Sequence, residues 1–130
     1  MAGTFKFELV TPERMALSED AAQVVVPGVE GEFTVLPGHA PVISALRPGV
    51  IDVTLPDARK TRIFVKGGFA EVDAGHLTVL AERALDVEAM DAAAIAAELE
   101  TAEADLASAT DDAGRLAAAS AVERLRGMRR

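Results

Sequence analysis

The stretch VEGEFTVLPGHAPVISALRPGVIDV, residues 29–53, sets β-rich text between two rigid pairs, Pro37-Gly38 and Pro48-Gly49. Proline fixes φ and lacks an N–H donor, and glycine tolerates φ > 0, so each pair predicts a tight turn. His39-Ala40-Pro41 follows the first pair and holds an imidazole between two prolines. A loop this constrained is suited to presenting a surface rather than filling space.

Short β-like runs extend outward from it. Residues 5–9, FKFEL, alternate apolar and polar, the mark of a half-buried strand. Residues 22–26 are rich in valine and stop at Pro27-Gly28, and further runs follow at 32–36, 49–55, 61–66, 69–72 and 77–80. Asp73-Ala74-Gly75-His76 predicts a hairpin turn, because glycine there supplies φ > 0. Gly67-Gly68 lacks the Lys-Ser/Thr of a phosphate loop, so it reads as a bulge or a close backbone approach. Many short strands with no helix between them predict a β-sandwich or flattened barrel over residues 1–86.

From residue 87 the period changes. Ile95, Leu99, Ala102, Leu106 and Ala109 share one helical face, with Glu98, Glu100, Glu103 and Asp105 on the others. Thr110-Asp111-Asp112 offers caps for a second helix, Leu116, Ala119, Val122 and Leu125 give it an apolar stripe, and Gly127 ends it. The fold class is therefore α+β, mainly β: a sandwich, then an antiparallel two-helix hairpin over residues 87–130. Its roughly six large anchors contribute about 1.5–3 kcal/mol each when buried. Ordering costs about 1–2 kcal/mol per residue, so the hairpin needs a surface to lie on. Alanine's helix propensity lets it remain helical when undocked, which suits a movable arm.

Composition narrows the function. There is no cysteine, which removes disulfides, thiolate metal sites and a cysteine nucleophile. No apolar run is long enough to span a bilayer, and MAGTFKFELVTPE lacks signal-peptide character, so a soluble cytosolic chain without direct membrane insertion is expected. The net charge of −8 disfavours nucleic acid. Residues 87–113 carry 8 acids and no base, whereas residues 114–130 carry five arginines against Glu123. His39 and His76 stand in separate turns without a metal shell, and no serine has a nucleophile-elbow context. Nothing in this pattern points to catalysis, a cofactor or a metal.

Five pieces carry a resemblance: Glu30-Gly31-Glu32; Leu36-Pro37-Gly38-His39-Ala40-Pro41; Arg47-Pro48-Gly49; Gly67-Gly68-Phe69-Ala70-Glu71-Val72; and Val79-Leu80-Ala81. In this order and spacing, with a helical tail after them, the chain resembles the epsilon subunits of F-type ATP synthases over essentially its whole length. The resemblance implies a non-catalytic central-stalk subunit, peripheral at the cytoplasmic face of the bacterial inner membrane. Such a subunit links the gamma subunit to the c-ring for coupling. By position, Glu30, Glu32 and His39 become candidates for c-ring contact. Arg115, Arg124, Arg126, Arg129 and Arg130 become candidates for meeting the catalytic alpha and beta subunits and restraining hydrolysis. Equally open is that these arginines neutralise the acidic first helix and complement the second helix's dipole. The family's ATP motif, Ile/Leu-Asp-x-x-Arg-Ala, falls on Met90-Asp91-Ala92-Ala93-Ala94-Ile95, where Ala94 replaces the arginine. Nucleotide binding is therefore not expected. The alternatives are a stand-alone β-sandwich binding module with a helical dimerisation tail, and a small enzyme using the Glu30/Glu32/His39 turn.

Overall fold

A computed structural model describes residues 3–128. Arg129 and Arg130 lie outside the described residues. The strands are β1 Phe5–Val10, β2 Met15–Ala21, β3 Gln23–Gly28, β4 Gly31–Val35, β5 Val42–Ala45, β6 Gly49–Thr54, β7 Lys60–Val65, β8 Gly68–Asp73, β9 His76–Ala81 and β10 Ala84–Asp86. They form two five-stranded sheets, β2-β1-β9-β8-β5 and β10-β7-β6-β3-β4. Neighbours run antiparallel except β1 and β9, which pair in parallel. Alternation in β1 turns Phe5, Phe7 and Leu9 inward, where they meet Val24, Val26, Ile51, Ile63, Leu77 and Val79 from both sheets. The expected sandwich is the observed one.

Three strands escaped the sequence reading. β2 carries Ser18-Glu19-Asp20, weak strand formers, and is held by its pairing with β1 at the sheet edge. β5 is four residues long and β10 three, too short to show a period. The two Pro-Gly pairs of the central stretch also differ. Leu36 O accepts the His39 N–H at 3.1 Å and Gly38 has φ +83°, the type II turn expected of Pro37-Gly38. Pro48-Gly49 is not a turn. Gly49 opens β6 opposite Val65, and a Cβ there would stand 3.0 Å from Pro27 Cβ, so the glycine serves close packing. β3 likewise continues through Pro27-Gly28, and its two-residue turn is Val29-Glu30. Gly67-Gly68 is the expected close approach: a Cβ on Gly68 would collide with the Leu80 carbonyl.

After β10, Asp86 accepts the Glu88 N–H at 2.9 Å and caps a single 3-10 turn, Val87–Ala89. Helix α1, Ala92–Ser108, is capped by Asp91, whose carboxylate accepts the Ala94 N–H at 2.8 Å. Asp111 accepts the Gly114 N–H at 2.7 Å at the start of α2, Asp112–Met128. The short connection returns α2 antiparallel along α1. Ile95, Leu99, Ala102, Val122 and Leu125 are buried as their spacing predicts. Leu116 is not: it is 73% exposed, because residues 112–117 are exposed throughout and Ala118 is the first buried position of α2. Gly127 does not end α2, which runs through it to Met128.

The hairpin rests on the outer face of the second sheet. Ile63 and Val65 of β7 point into the sandwich, while Phe64 points out with Val50 of β6. Around these two gather Val87, Met90, Ile95, Leu99, Ala102, Ala121, Val122 and Leu125, forming a second core. Ser120 Oγ, donating to Pro48 O at 2.8 Å, adds a polar tether.

Candidate partner-docking surfaces

Among the described residues, none covers the outer face of the first sheet in this way. Its register places Met15, Val10, Leu80, Phe69 and Ala45 side by side, one from each strand. Met15, Leu80 and Phe69 are each more than half exposed, at 54%, 53% and 55%. The next row, Ser18, Glu8, Thr78, Glu71 and Ile43, is mostly polar, although Ile43 is exposed too. An apolar band crossing a whole sheet, flanked by polar residues, is the character of a protein interface rather than of scattered surface leucines. Alternation alone placed these residues outside. Their alignment needed the register, so no single-strand pattern could reveal the band.

The loop candidates separate. Glu30 sits in the Val29-Glu30 turn, where the Val29 N–H donates to Ala45 O at 2.9 Å. Glu32 is the second residue of β4, paired with Pro27. His39 lies past the other end of β4, its ring centroid 6.4 Å from that of Phe33. There it shares a small hollow with Phe5, Leu36, Gly75 and His76. Thus the two histidines, distant in sequence, come to one end of the sandwich. Glu32 stands three residues before the Val35 end of β4, about 10 Å of strand at ~3.3 Å per residue, and Glu30 lies in the turn before β4. A contact using all three must run along the free edge of β4, which pairs only with β3.

The arginines divide as well. Arg126 donates to Glu103 of α1 at 3.0 Å, the neutralising role that the charge blocks suggested. Arg115 pairs with Asp112 of its own helix at 3.1 Å. Arg124 lines a cleft of about 380 Å³ between α2 and the sandwich, floored by Pro27, Pro48, Gly49 and Val50 and rimmed by Glu32, Arg47 and Glu123. Glu32 and Arg124 therefore border one cleft, a proximity invisible in sequence.

Among the described residues, no polar or charged side chain is buried and no three His, Asp or Glu could hold a metal. The Arg59 backbone N–H, then its guanidinium, holds the Asp57 carboxyl below the usual carboxylate range, and the hydrogen bond that Arg62 donates to the Glu88 carboxylate raises Arg62. Both pairs are exposed, where ion pairs contribute little. The residues at the nucleotide motif do not fit a triphosphate: Asp91 is engaged as a helix cap, and Ala94 packs against the second core.

Comparison with known proteins places the chain. Residues 4–87 match the family described as ATP synthase, Delta/Epsilon chain, beta-sandwich domain. The chain is 44% identical over 129 residues to the ATP synthase epsilon chain of Parvibaculum lavamentivorans, covering 99% of this chain and 98% of that one. It is 46% identical over 128 residues to that of Maricaulis maris, covering 98% and 96%. A chain of the Euglena gracilis mitochondrial ATP synthase, in its OSCP/F1/c-ring assembly, superposes with a TM-score of 0.73 at 28% identity, covering 95% of this chain and 78% of that chain. A chain of the Tetrahymena thermophila central stalk and c-ring shares the fold, with a TM-score of 0.63 at 16% identity, covering 94% and 93%.

Titration calorimetry with Mg-ATP on the isolated chain is expected to give no heat of binding at micromolar to hundred-micromolar nucleotide. Micromolar binding would show that another cation substitutes at Ala94.

Proposed function

The chain belongs to the family of ATP synthase delta and epsilon chains, and on that premise we propose that it is a non-catalytic rotary-stalk subunit joining gamma to the c-ring. The observation that carries this reading is the bare apolar band of the first sheet. The chain covers its second sheet with its own hairpin and leaves Phe69, Leu80 and Met15 to a partner. Gamma is the occupant that a central-stalk setting supplies, and the band supports a permanent rather than a transient contact. The β4 edge, with Glu30, Glu32 and His39, turns toward the polar loops of the ring, where charge-assisted hydrogen bonds set register and tightness. Proton-driven rotation then passes from ring to gamma through a stiff sandwich. No described helix is long and apolar enough to cross a membrane. The chain is held peripherally, at the cytoplasmic face of the bacterial inner membrane, by its partners. Residues 1–86 and 87–130 act as separable units, the second an arm whose Arg115, Arg124, Arg126, Arg129 and Arg130 face the catalytic subunits when it extends.

Phe69→Asp with Leu80→Asp is expected to lower urea stability by up to about 2 kcal/mol while leaving the chain folded, since both side chains are half exposed but the two carboxylates face each other across β8 and β9. Affinity for gamma should fall at least about tenfold, as for truncation of an interface anchor. Undiminished co-purification with gamma would sink the assignment of this face.

Glu30→Ala with Glu32→Ala is expected to weaken ATP-driven proton pumping partially, because rim contacts cost a few kcal/mol at most. His39→Ala should add to the loss if the ring contacts the whole edge of β4. Unchanged pumping in the triple variant rejects a ring-facing edge.

Truncation after Asp86 is expected to retain gamma binding and ATP synthesis while uncovering Val50 and Phe64, detectable as increased binding of an apolar dye. Hydrolysis by the assembled complex should rise if the arginines restrain it. A truncated chain that fails to join the complex contradicts the two-unit reading.

A further inference from the structure

We propose that Glu98 is the latch that holds the hairpin on the sandwich, a carboxylate clasped by Arg83 and Lys66. The idea rests on the hairpin being the movable arm described above. Glu98 lies on α1 between Ile95 and Leu99, both buried against the sheet. Its side chain is only 13% exposed, whereas Glu100, Glu103 and Asp105 of the same helix are exposed. Arg83 Nη2 donates to Glu98 Oε2 at 2.7 Å, and Lys66 Nζ stands 3.9 Å from Oε1.

Both cations come from the sandwich side, where their backbones are paired. Lys66 follows β7 and Arg83 precedes β10, and the Lys66 N–H donates to Arg83 O at 3.1 Å. The sandwich thereby presents a fork of two like charges that α1 neutralises on docking. Lifting or rotating α1 leaves the fork uncompensated. The other hairpin-to-sandwich ion pair among the described residues, Arg62 with Glu88, sits at the 3-10 turn where the chain leaves the sandwich, and so holds the hinge rather than the arm. The apolar contacts of Ile95, Leu99 and Leu125 supply most of the adhesion but respond little to salt. The clasp is partly buried, so it acts at short range, yet Arg83 is 55% exposed and open to screening. The latch therefore makes the arm's position sensitive to ionic strength and to any anion that competes for the fork.

The chain has no cysteine, so Thr34→Cys and Ala107→Cys, both at exposed positions, provide a clean pair for spin or dye labels on the full chain. Distance distributions then report docked and undocked hairpins from about 0.02 to 0.5 M salt. Glu98→Gln is expected to raise the undocked-to-docked ratio about fivefold at low salt and to flatten its salt dependence. Arg83→Gln, at an exposed site that spares the fold, should do the same. The reversed pair Arg83→Glu with Glu98→Arg should recover most of the docking. Ile95→Ala should promote undocking without changing the salt slope. If Ile95→Ala undocks the hairpin while Glu98→Gln and Arg83→Gln match the parent at every salt concentration, the arm moves but Glu98 is not its latch. If Ile95→Ala also stays docked throughout, the movable arm itself is wrong, and the latch falls with it.

Discussion

β7 is buried on both of its faces over residues 63–65, and the rest of the chain is arranged around that fact. Ile63 and Val65 close the sandwich while Phe64, between them, anchors the helices. A strand with two apolar faces cannot face water, so one layer must cover each side. The first sheet covers one side and the hairpin the other. Fully burying a side chain of this size contributes about 1.5–3 kcal/mol, enough that Phe64 and Val50 give an alanine-rich hairpin the surface it needs. The hairpin is thus both part of the folded core and the part held by the fewest large side chains.

The two sheets end up in opposite situations. The second buries its outer apolar residues under the chain's own helices. The first aligns Met15, Leu80 and Phe69 in one exposed row and leaves them bare. A protein that can cover one apolar face with its own chain but leaves another open is shaped for a complex. This matches its kinship with subunits of a rotary assembly.

Charge is organised on the same plan. The acidic block of the first helix and the arginines of the second meet at Glu103 and Arg126. The best-buried acid of α1, Glu98, instead turns to cations from the sandwich. The hairpin is closed on itself by an exposed pair, and its docking on the sandwich combines apolar packing with one partly buried cluster, Glu98 with Arg83 and Lys66. Screening acts differently on these two kinds of contact.

The sequence alone determined the fold class, the place where β gives way to helix, the Pro37-Gly38 turn, the Gly67-Gly68 approach and the apolar faces of both helices. These are local matters: they follow from φ restrictions and from periods of two and 3.6 within one segment. The family was legible too, through five motif pieces in order. Tertiary structure decided what depends on pairing between distant segments. It made β2 a strand despite its polar residues, set Gly49 at the start of β6 close against Pro27 rather than in a turn, and left Leu116 beyond the sheet. It also parted His39 from Glu30 and Glu32, assembled the apolar row from five strands, and brought Lys66, Arg83 and Glu98 together. Register and docking are set by the sum of many weak contacts across the whole chain, and no window of sequence contains that sum.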